Sequence, residues 1–189
     1  MTILELEPEQ HELVEQVAKI LRDAFVHFPE TWDTLEQARA AVQESFQAER
    51  ISRVALDENG DAVGWIGGIP QYDGNVIELH PLAVKPSHQR QGIGRALVAD
   101  LEAQARARGA MTVVLGSDDE FDGTSLYGQD LYPDIAAWIS NIKNVRHHPY
   151  EFYQKCGYVI YGIVPDANGF GRPDILMAKR VGIAKNQAN

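Results

Sequence analysis

The stretch from Val76 to Arg108, VIELHPLAVKPSHQRQGIGRALVADLEAQARAR, constrains the chain more than any other. An apolar strand carrying one carboxylate, Glu78, runs into a turn with two glycines, and the turn opens a long helix. Ile93, Leu97, Leu101 and Ala105 recur every four residues, which makes one apolar helix face, and Gly109 stands as its stop. The first N–H groups of a helix have no intrahelical partner, and the helix dipole adds partial positive charge there. Gln89-Arg90-Gln91-Gly92-Ile93-Gly94 therefore has the makings of a phosphate site. Gly92 and Gly94 remove side chains so that a pyrophosphate can approach the backbone, and Arg90 and Arg95 add charge. An ordinary strand–helix turn also uses glycine, and this one is neither a Walker loop nor a full dinucleotide fingerprint.

Two residues of the strand are unusual. Glu78 sits in a run otherwise apolar until His80, either on a solvated face or lining a cleft. Pro81 cannot donate to a ladder and marks an edge or a bulge. A bulge would turn the N–H groups of Leu82 and Ala83 toward a ligand carbonyl. A carboxylate base beside oxyanion donors suits acyl transfer to an amine.

Around this unit the periodicity predicts one α/β domain over residues 1–181 with a mixed sheet, and a frayed tail over 182–189. Ile3–Leu6 reads as a short strand. Glu9–Phe25 carries a helical stripe of Leu13, Val17, Ile20, Leu21 and Ala24, and Pro29 breaks the segment that follows. Thr34–Phe46 reads as a second helix. Asn59-Gly60 and Asp73-Gly74 are turn signals that join Ile51–Leu56, Ala62–Tyr72 and Val76–Val84 into an antiparallel meander. Met111–Leu115 is a short buried strand that a helical crossover allows to run parallel to its predecessor. Gly116–Leu131 reads as a polar loop, Pro133–Val145 and Tyr150–Lys155 as helical, and Tyr158–Val164 and Ile175–Arg180 as closing strands.

Composition narrows the partners. The net charge of −10 disfavours nucleic acid and anionic membranes and favours a cationic ligand, though acidity also serves solubility. No apolar run approaches the roughly 20 residues of a membrane span. Met1–Glu12 carries acids where a secretory leader has a basic and then an apolar region. The single cysteine, Cys156, excludes an internal disulfide and has no base partner in sequence, which favours a packing role. A cytoplasmic protein is expected. His147 and His148 are adjacent and cannot share a helix face, so no metal site is expected.

Further pieces carry chemistry. Ser117-Asp118-Asp119-Glu120-Phe121-Asp122 sets four carboxylates in six positions after the fifth strand, which by themselves suit a solvated acidic loop. In Pro149–Tyr158, a tyrosine at Tyr153 can protonate a leaving thiolate or simply pack. Trp32 can anchor its loop, and His80 can face a cleft or make a structural hydrogen bond.

These pieces, in this order and spacing, resemble the GCN5-related N-acetyltransferase (GNAT) superfamily. Gln89, Gly92 and Gly94 meet its Gln/Arg-x-x-Gly-x-Gly/Ala signature, and Phe152 through Tyr158 meet its Phe-Tyr-x-Lys-x-Gly-Tyr/Phe element. Ile69–Tyr72, Glu78–Leu82, Leu115–Asp119, His148–Tyr153 and the Pro165–Gly169 and Pro173–Ile175 blocks further resemble aminoglycoside 6'-N-acetyltransferases of the chromosomal enterococcal type. Arg146 and Pro149 depart from the superfamily pattern, where Asn and Ala are common.

The resemblance implies the GNAT fold, a mostly antiparallel sheet with splayed fourth and fifth strands, and acetyl-coenzyme A as donor. It implies cofactor contacts from Leu82, Val84, Gln89, Arg90, Gln91, Gly92, Ile93, Gly94, Arg95 and Tyr153. Glu78 would be the general base, Leu82 the N–H that polarises the thioester, and Tyr153 the proton donor. Acceptor contacts would come from Trp32, stacked on a sugar ring, and from Tyr72, Glu78, His80, Asp118, Asp119 and Asp174, with the acidic loop meeting ammonium groups, and a homodimer is implied. The expected reaction is direct acetyl transfer to an aminoglycoside amine, conferring antibiotic resistance. A polyamine or protein amine is the alternative acceptor, and a non-catalytic coenzyme A-binding module the alternative class.

Overall fold

The computed structural model describes residues 1–28 and 31–182; Pro29, and the tail beyond Gly182, lie outside the described residues. Among those described are seven strands and five α-helices. They form two compact units, Met1–Val113 with Val181 and Gly182, and Val114–Arg180.

In the first unit β1 (Thr2–Glu5), β2 (Ile51–Leu56), β3 (Ala62–Gln71) and β4 (Val76–Val84) pair in chain order, each antiparallel to the next. This is the expected meander. Gly60 takes a φ of +86° in the first hairpin loop. In the second, Tyr72 and Asp73 have φ of 50° and 55°, and the Gly74 N–H donates to the Gln71 carbonyl at 3.1 Å. That is a type I′ turn, whose twist matches the flanking strands. Tyr72 thus belongs to the turn and not to the strand, because Gly74 supplies the third left-handed residue that closes it.

Two helices cover one face of this sheet. α1 (His11–Ala24) buries Val14, Val17, Ala18, Ile20 and Leu21. α2 (Leu35–Glu44) begins with a capping box: the Gln37 N–H donates to Thr34 Oγ1 at 3.2 Å, and the Thr34 N–H donates to Gln37 Oε1 at 2.9 Å. Both helices pack on Val54, Ala62, Trp65 and Ala83 of the sheet. α3 (Ile93–Ala107) covers the opposite face with Ile93, Leu97, Leu101 and Ala105 buried as the spacing predicted. A Cβ at Gly64 would lie 2.9 Å from a Leu97 methyl, and one at Gly68 would lie 2.9 Å from a Leu101 methyl. The missing side chains let α3 seat its leucines against the backbone of β3.

Trp65, almost fully buried, anchors a polar relay beneath α2. Its Nε1–H donates to Ser52 Oγ at 3.0 Å, Ser52 and Ser45 are 2.9 Å apart, and Ser45 Oγ donates to the Val42 carbonyl at 2.6 Å. Each hydroxyl has one proton, so the direction of the relay is set at both ends.

In the second unit β5 (Thr112–Asp118, of which Val114 onward belongs to this unit), β7 (Asp174–Arg180) and β6 (Val159–Val164) follow in that spatial order, with β6 and β7 antiparallel. β5 runs three residues past Leu115 because the alternation of buried Val113, Leu115 and Ser117 continues. The polar Ser117 hides this in sequence. The helix expected over Pro133–Val145 shrinks to α4 (Ile135–Ser140), opened by Asp134 accepting from the Ala137 N–H at 3.0 Å. It stops short because Asn144 forms a bridge with Thr124. α5 (Tyr150–Lys155) runs into Gly157 at φ +93°.

Ser52→Ala should strand the Trp65 N–H and lower stability by about 1–3 kcal/mol, read from the midpoint of urea unfolding at unchanged slope.

Candidate active site

The first unit holds the phosphate turn and the carboxylate strand. After β4 a single 3₁₀ turn, Pro86–His88, leads into the α3 N-terminus. Gly92 is the N-cap at φ +88° and offers no capping side chain. The first intrahelical bond runs from the Ala96 N–H to the Gly92 carbonyl at 3.0 Å. The amides of Ile93, Gly94 and Arg95 precede it and have no partner within the helix. Gln89, Arg90, Gln91, Gly92 and Arg95 are exposed around them. Gln89 Nε2 donates back to the Val84 carbonyl at 3.3 Å, which ties the loop to the end of β4. This loop can hold a pyrophosphate on backbone donors and two flanking cations.

The bulge expected at Pro81 is present. Ile66 pairs with Leu82 and Gly68 with Leu79, so Gly67 alone opposes His80 and Pro81, which are joined by a cis peptide bond. A Cβ at Gly67 would collide with the His80 carbonyl oxygen. Downstream of the bulge the Lys85 N–H donates to the Val63 carbonyl at 2.9 Å. Antiparallel pairs alternate between hydrogen-bonded and non-hydrogen-bonded. Ala83, opposite Trp65, therefore directs its N–H at β3, whereas Leu82 and Val84 direct theirs away from β3. Of the two amides expected to be turned outward by the bulge, only Leu82's is, and Val84's joins it.

Glu78 is half-buried opposite Ile69. Its Oε2 accepts from Gln71 Nε2 at 3.0 Å. Ile69 also lines a cavity of about 170 Å³, together with Trp32, Glu44, Trp65 and His80. Trp32, at φ 51°, packs edge-on against Phe25 with ring centroids 4.9 Å apart and lies 5.8 Å from the His80 ring. It anchors the α1–α2 connection and walls the cavity at once. Tyr72, on the hairpin turn, is 80% exposed.

In the second unit the four carboxylates from Asp118, the last residue of β5, to Asp122 have three different fates. Asp119 is 1% exposed; its oxygens accept from the Gly123 N–H at 2.7 Å, the Thr124 N–H at 2.9 Å and the Thr124 hydroxyl at 2.7 Å. It closes its own loop and presents nothing to solvent. Glu120 faces Arg172 at 3.6 Å and Asp122 faces Arg146 at 2.8 Å. Asp118 is exposed and accepts from Asn168 Nδ2 at 2.6 Å. An amide leaves its negative charge in place. Asp174 lies half-buried on β7 beside Gly116, where a Cβ would stand 2.5 Å from its Oδ2.

His148 locks this loop from beneath. Its Nδ1 accepts from the Tyr150 N–H at 3.2 Å, so the proton is on Nε2, which donates to the Asp118 carbonyl at 3.0 Å. Burial holds His148 below its ordinary value, against smaller opposing contributions from the Asp118 carbonyl and the Asp119 and Asp118 charges. Asn144 brackets the same residue, accepting from its N–H at 2.8 Å and donating to its carbonyl at 2.9 Å. Tyr153 lies on α5 between Phe152, 5.0 Å away centroid to centroid, and Tyr158, at 5.9 Å. Burial pushes its phenol up, so it stays protonated across the neutral range. Cys156 is half-buried at the end of α5, and its carbonyl accepts from Lys179 Nζ at 2.7 Å. Among the described residues no three His, Cys, Asp or Glu side chains converge as a metal site, and no helix is long and apolar enough to cross a membrane.

Sequence reasoning did not single out Gln71, Asn168, Asn144 or Gly67 for the site. For Gln71 the signal was its position two residues along from the residue opposite Glu78 in the hairpin register. For Asn168 no local pattern points to a carboxylate 50 residues away.

A β-bulge facing a glycine, a carboxylate on the same strand and an open helix N-terminus directly after it put a base, outward backbone donors and an anion site on one strand–helix unit. The chain belongs to the acetyltransferase (GNAT) family, whose sequence pattern matches residues 14–129. Its solved likenesses narrow this. An aminoglycoside 6'-N-acetyltransferase complexed with coenzyme A shares 40% identity over 98% of this chain and 99% of that one, with a TM-score of 0.89. The aminoglycoside 6'-N-acetyltransferase from Enterococcus faecium gives the same identity, coverage and TM-score. The ribosomal-protein-S18-alanine N-acetyltransferase from Escherichia coli shares the fold, with a TM-score of 0.66 over 100% of this chain and 98% of that one at 20% identity. No curated protein sequence matches the chain.

A histidine held below its ordinary value favours the native state above the unfolded value of about 6.5 and loses that advantage as pH falls through it, because the unfolded chain takes up the proton first. The loss of stability between about pH 7.5 and about pH 5.5 should therefore be smaller in His148→Gln than in the parent, measured by urea unfolding.

Proposed function

We propose that this protein transfers the acetyl group of acetyl-coenzyme A to the 6'-amine of a polycationic aminoglycoside, as a single acetyltransferase domain over residues 1–181. The observation that carries the proposal is the 40% identity, over nearly the whole chain, to an enzyme of that activity with coenzyme A bound. The fold alone does not choose the acceptor, since a protein-alanine acetyltransferase shares it at 20% identity.

The residues support a direct attack. The Ile93, Gly94 and Arg95 amides, with Arg90 and Arg95, hold the pyrophosphate. Coenzyme A supplies an activated thioester. The Leu82 N–H takes charge developing on the thioester oxygen; a preorganised backbone donor of this kind is typically worth about 10²–10³ in rate. The acceptor amine, with an ordinary value near about 10, is almost wholly protonated at neutral pH and must lose a proton to attack. Glu78 takes it, directly or through a water. Tyr153 serves the leaving sulfur. Burial keeps its phenol protonated, so it donates to the departing sulfur, and the proton that Glu78 takes from the amine balances the one the thiolate gains.

Acceptor contacts come from Trp32, Tyr72, His80, Asp118 and Asp174. Asp119 shapes the loop that carries Asp118. We further propose a cytoplasmic homodimer. The support for self-association is edge strand β6, which exposes Val159, Tyr161 and Val164. Sedimentation showing only monomer at micromolar concentration would remove that part.

Glu78→Ala should cut kcat with kanamycin by about 10²–10⁴ while acetyl-coenzyme A affinity by calorimetry is unchanged. Full activity in that variant removes Glu78 as base. Spermidine or a peptide outperforming kanamycin in a thiol-release assay moves the acceptor to another amine class, and coenzyme A binding without turnover on any amine makes the chain a binding module. Asp118→Asn should raise KM for kanamycin by about 2- to 5-fold with kcat unchanged, the scale of one exposed ion pair.

A further inference from the structure

Gln71 and Glu78 are on neighbouring strands of the same hairpin. Ile69 is the residue opposite Glu78, and Gln71 is opposite Val76, so Gln71 is the diagonal neighbour of Glu78 on one face of the sheet. Diagonal neighbours lie within reach of long side chains. Gln71 is also the first residue of the type I′ turn, its carbonyl accepting from the Gly74 N–H at 3.1 Å, so its backbone is fixed from the turn side as well as from the ladder. Its side chain reaches across to Glu78 with Nε2 3.0 Å from Oε2.

We propose that Gln71 is the positioning residue of the base: it holds Oε2 of Glu78 and leaves Oε1 as the oxygen that meets the acceptor amine or its water. A glutamate has three side-chain torsions, and an unheld one samples several directions from a strand. One donor on one oxygen removes most of that freedom and leaves the acceptor lone pairs of the other oxygen directed. The amide suits this task better than an ammonium or a guanidinium. A cation would neutralise Glu78 and compete with the cationic acceptor for it, whereas the amide orients the carboxylate and preserves its charge. This inference rests on Glu78 being the base.

The test is a double-mutant cycle with kanamycin and acetyl-coenzyme A. Gln71→Leu should lower kcat by about 10- to 100-fold, the scale of a hydrogen bond to a charged group, with thermal midpoint and coenzyme A affinity unchanged. In a Glu78→Gln background the same Gln71→Leu change should cost less than about 2-fold, because it acts only through Glu78. Gln71→Glu, nearly isosteric, should move the acidic limb of the kcat/KM profile to higher pH, since two carboxylates at hydrogen-bond distance do not both ionise readily. An equal loss from Gln71→Leu in both backgrounds would mean that Gln71 touches the acceptor itself and overturns the proposal. An unmoved pH limb in Gln71→Glu overturns it too. Wild-type turnover in Glu78→Gln alone overturns the base assignment and this inference with it. Wild-type turnover in Gln71→Leu beside an impaired Glu78→Gln overturns only the inference.

Discussion

One extra residue in β4, facing Gly67, sets the geometry on which the first half of the site depends. Upstream of it Glu78 pairs with Ile69, and downstream Ala83 pairs with Trp65. Ile69 and Trp65 lie on the same face of β3, four residues apart, so Glu78 and Ala83 share a face although one is even-numbered and the other odd. Without the bulge the period of two would put Glu78 and Ala83 on opposite faces. With it, a carboxylate points to the same side as the Trp65–Ala83 core, beside the cavity under α2. The same shift sets which amides face away from β3. Gly67 is the condition for all of this, because the His80 carbonyl occupies the place of its missing side chain.

The electrostatics of the molecule are local. A net charge of −10 suggests a protein that attracts cations everywhere, yet the acidic run after β5 is mostly spent within the second unit. Asp119 is bound by backbone and hydroxyl donors, and Glu120 and Asp122 face arginines. Asp118 keeps an exposed charge held by an amide. At Glu78 and at Asp118 alike, a carboxamide fixes a carboxylate without cancelling it. That arrangement suits the binding and deprotonation of a cationic amine.

Much of the fold was legible because its determinants are close in sequence. The α3 stripe, the two hairpin turns and the bulge at Pro81 rest on periodicity, left-handed turn residues and a missing N–H. Errors fell where a polar residue interrupted an alternation, as Ser117 does in β5, or where a tertiary bridge cut a helix short, as Asn144 does after α4. The motifs picked out Glu78, Leu82 and the Gln89–Arg95 turn, but motif spacing could not separate Asp118 from Asp119, which differ only in what the rest of the loop donates to them.

The sequence by itself determined that a strand with a proline-marked bulge feeds a glycine-capped helix, since backbone conformation there depends on residues within a few positions of one another. Tertiary structure decided which groups of that framework keep their chemistry. Gln71 reaches Glu78 only through the hairpin register, Asn168 reaches Asp118 across 50 residues, and His148 is buried against a carbonyl of the same loop. The last two join segments 50 and 30 residues apart, and the distance between their partners is set by packing, which no local pattern encodes.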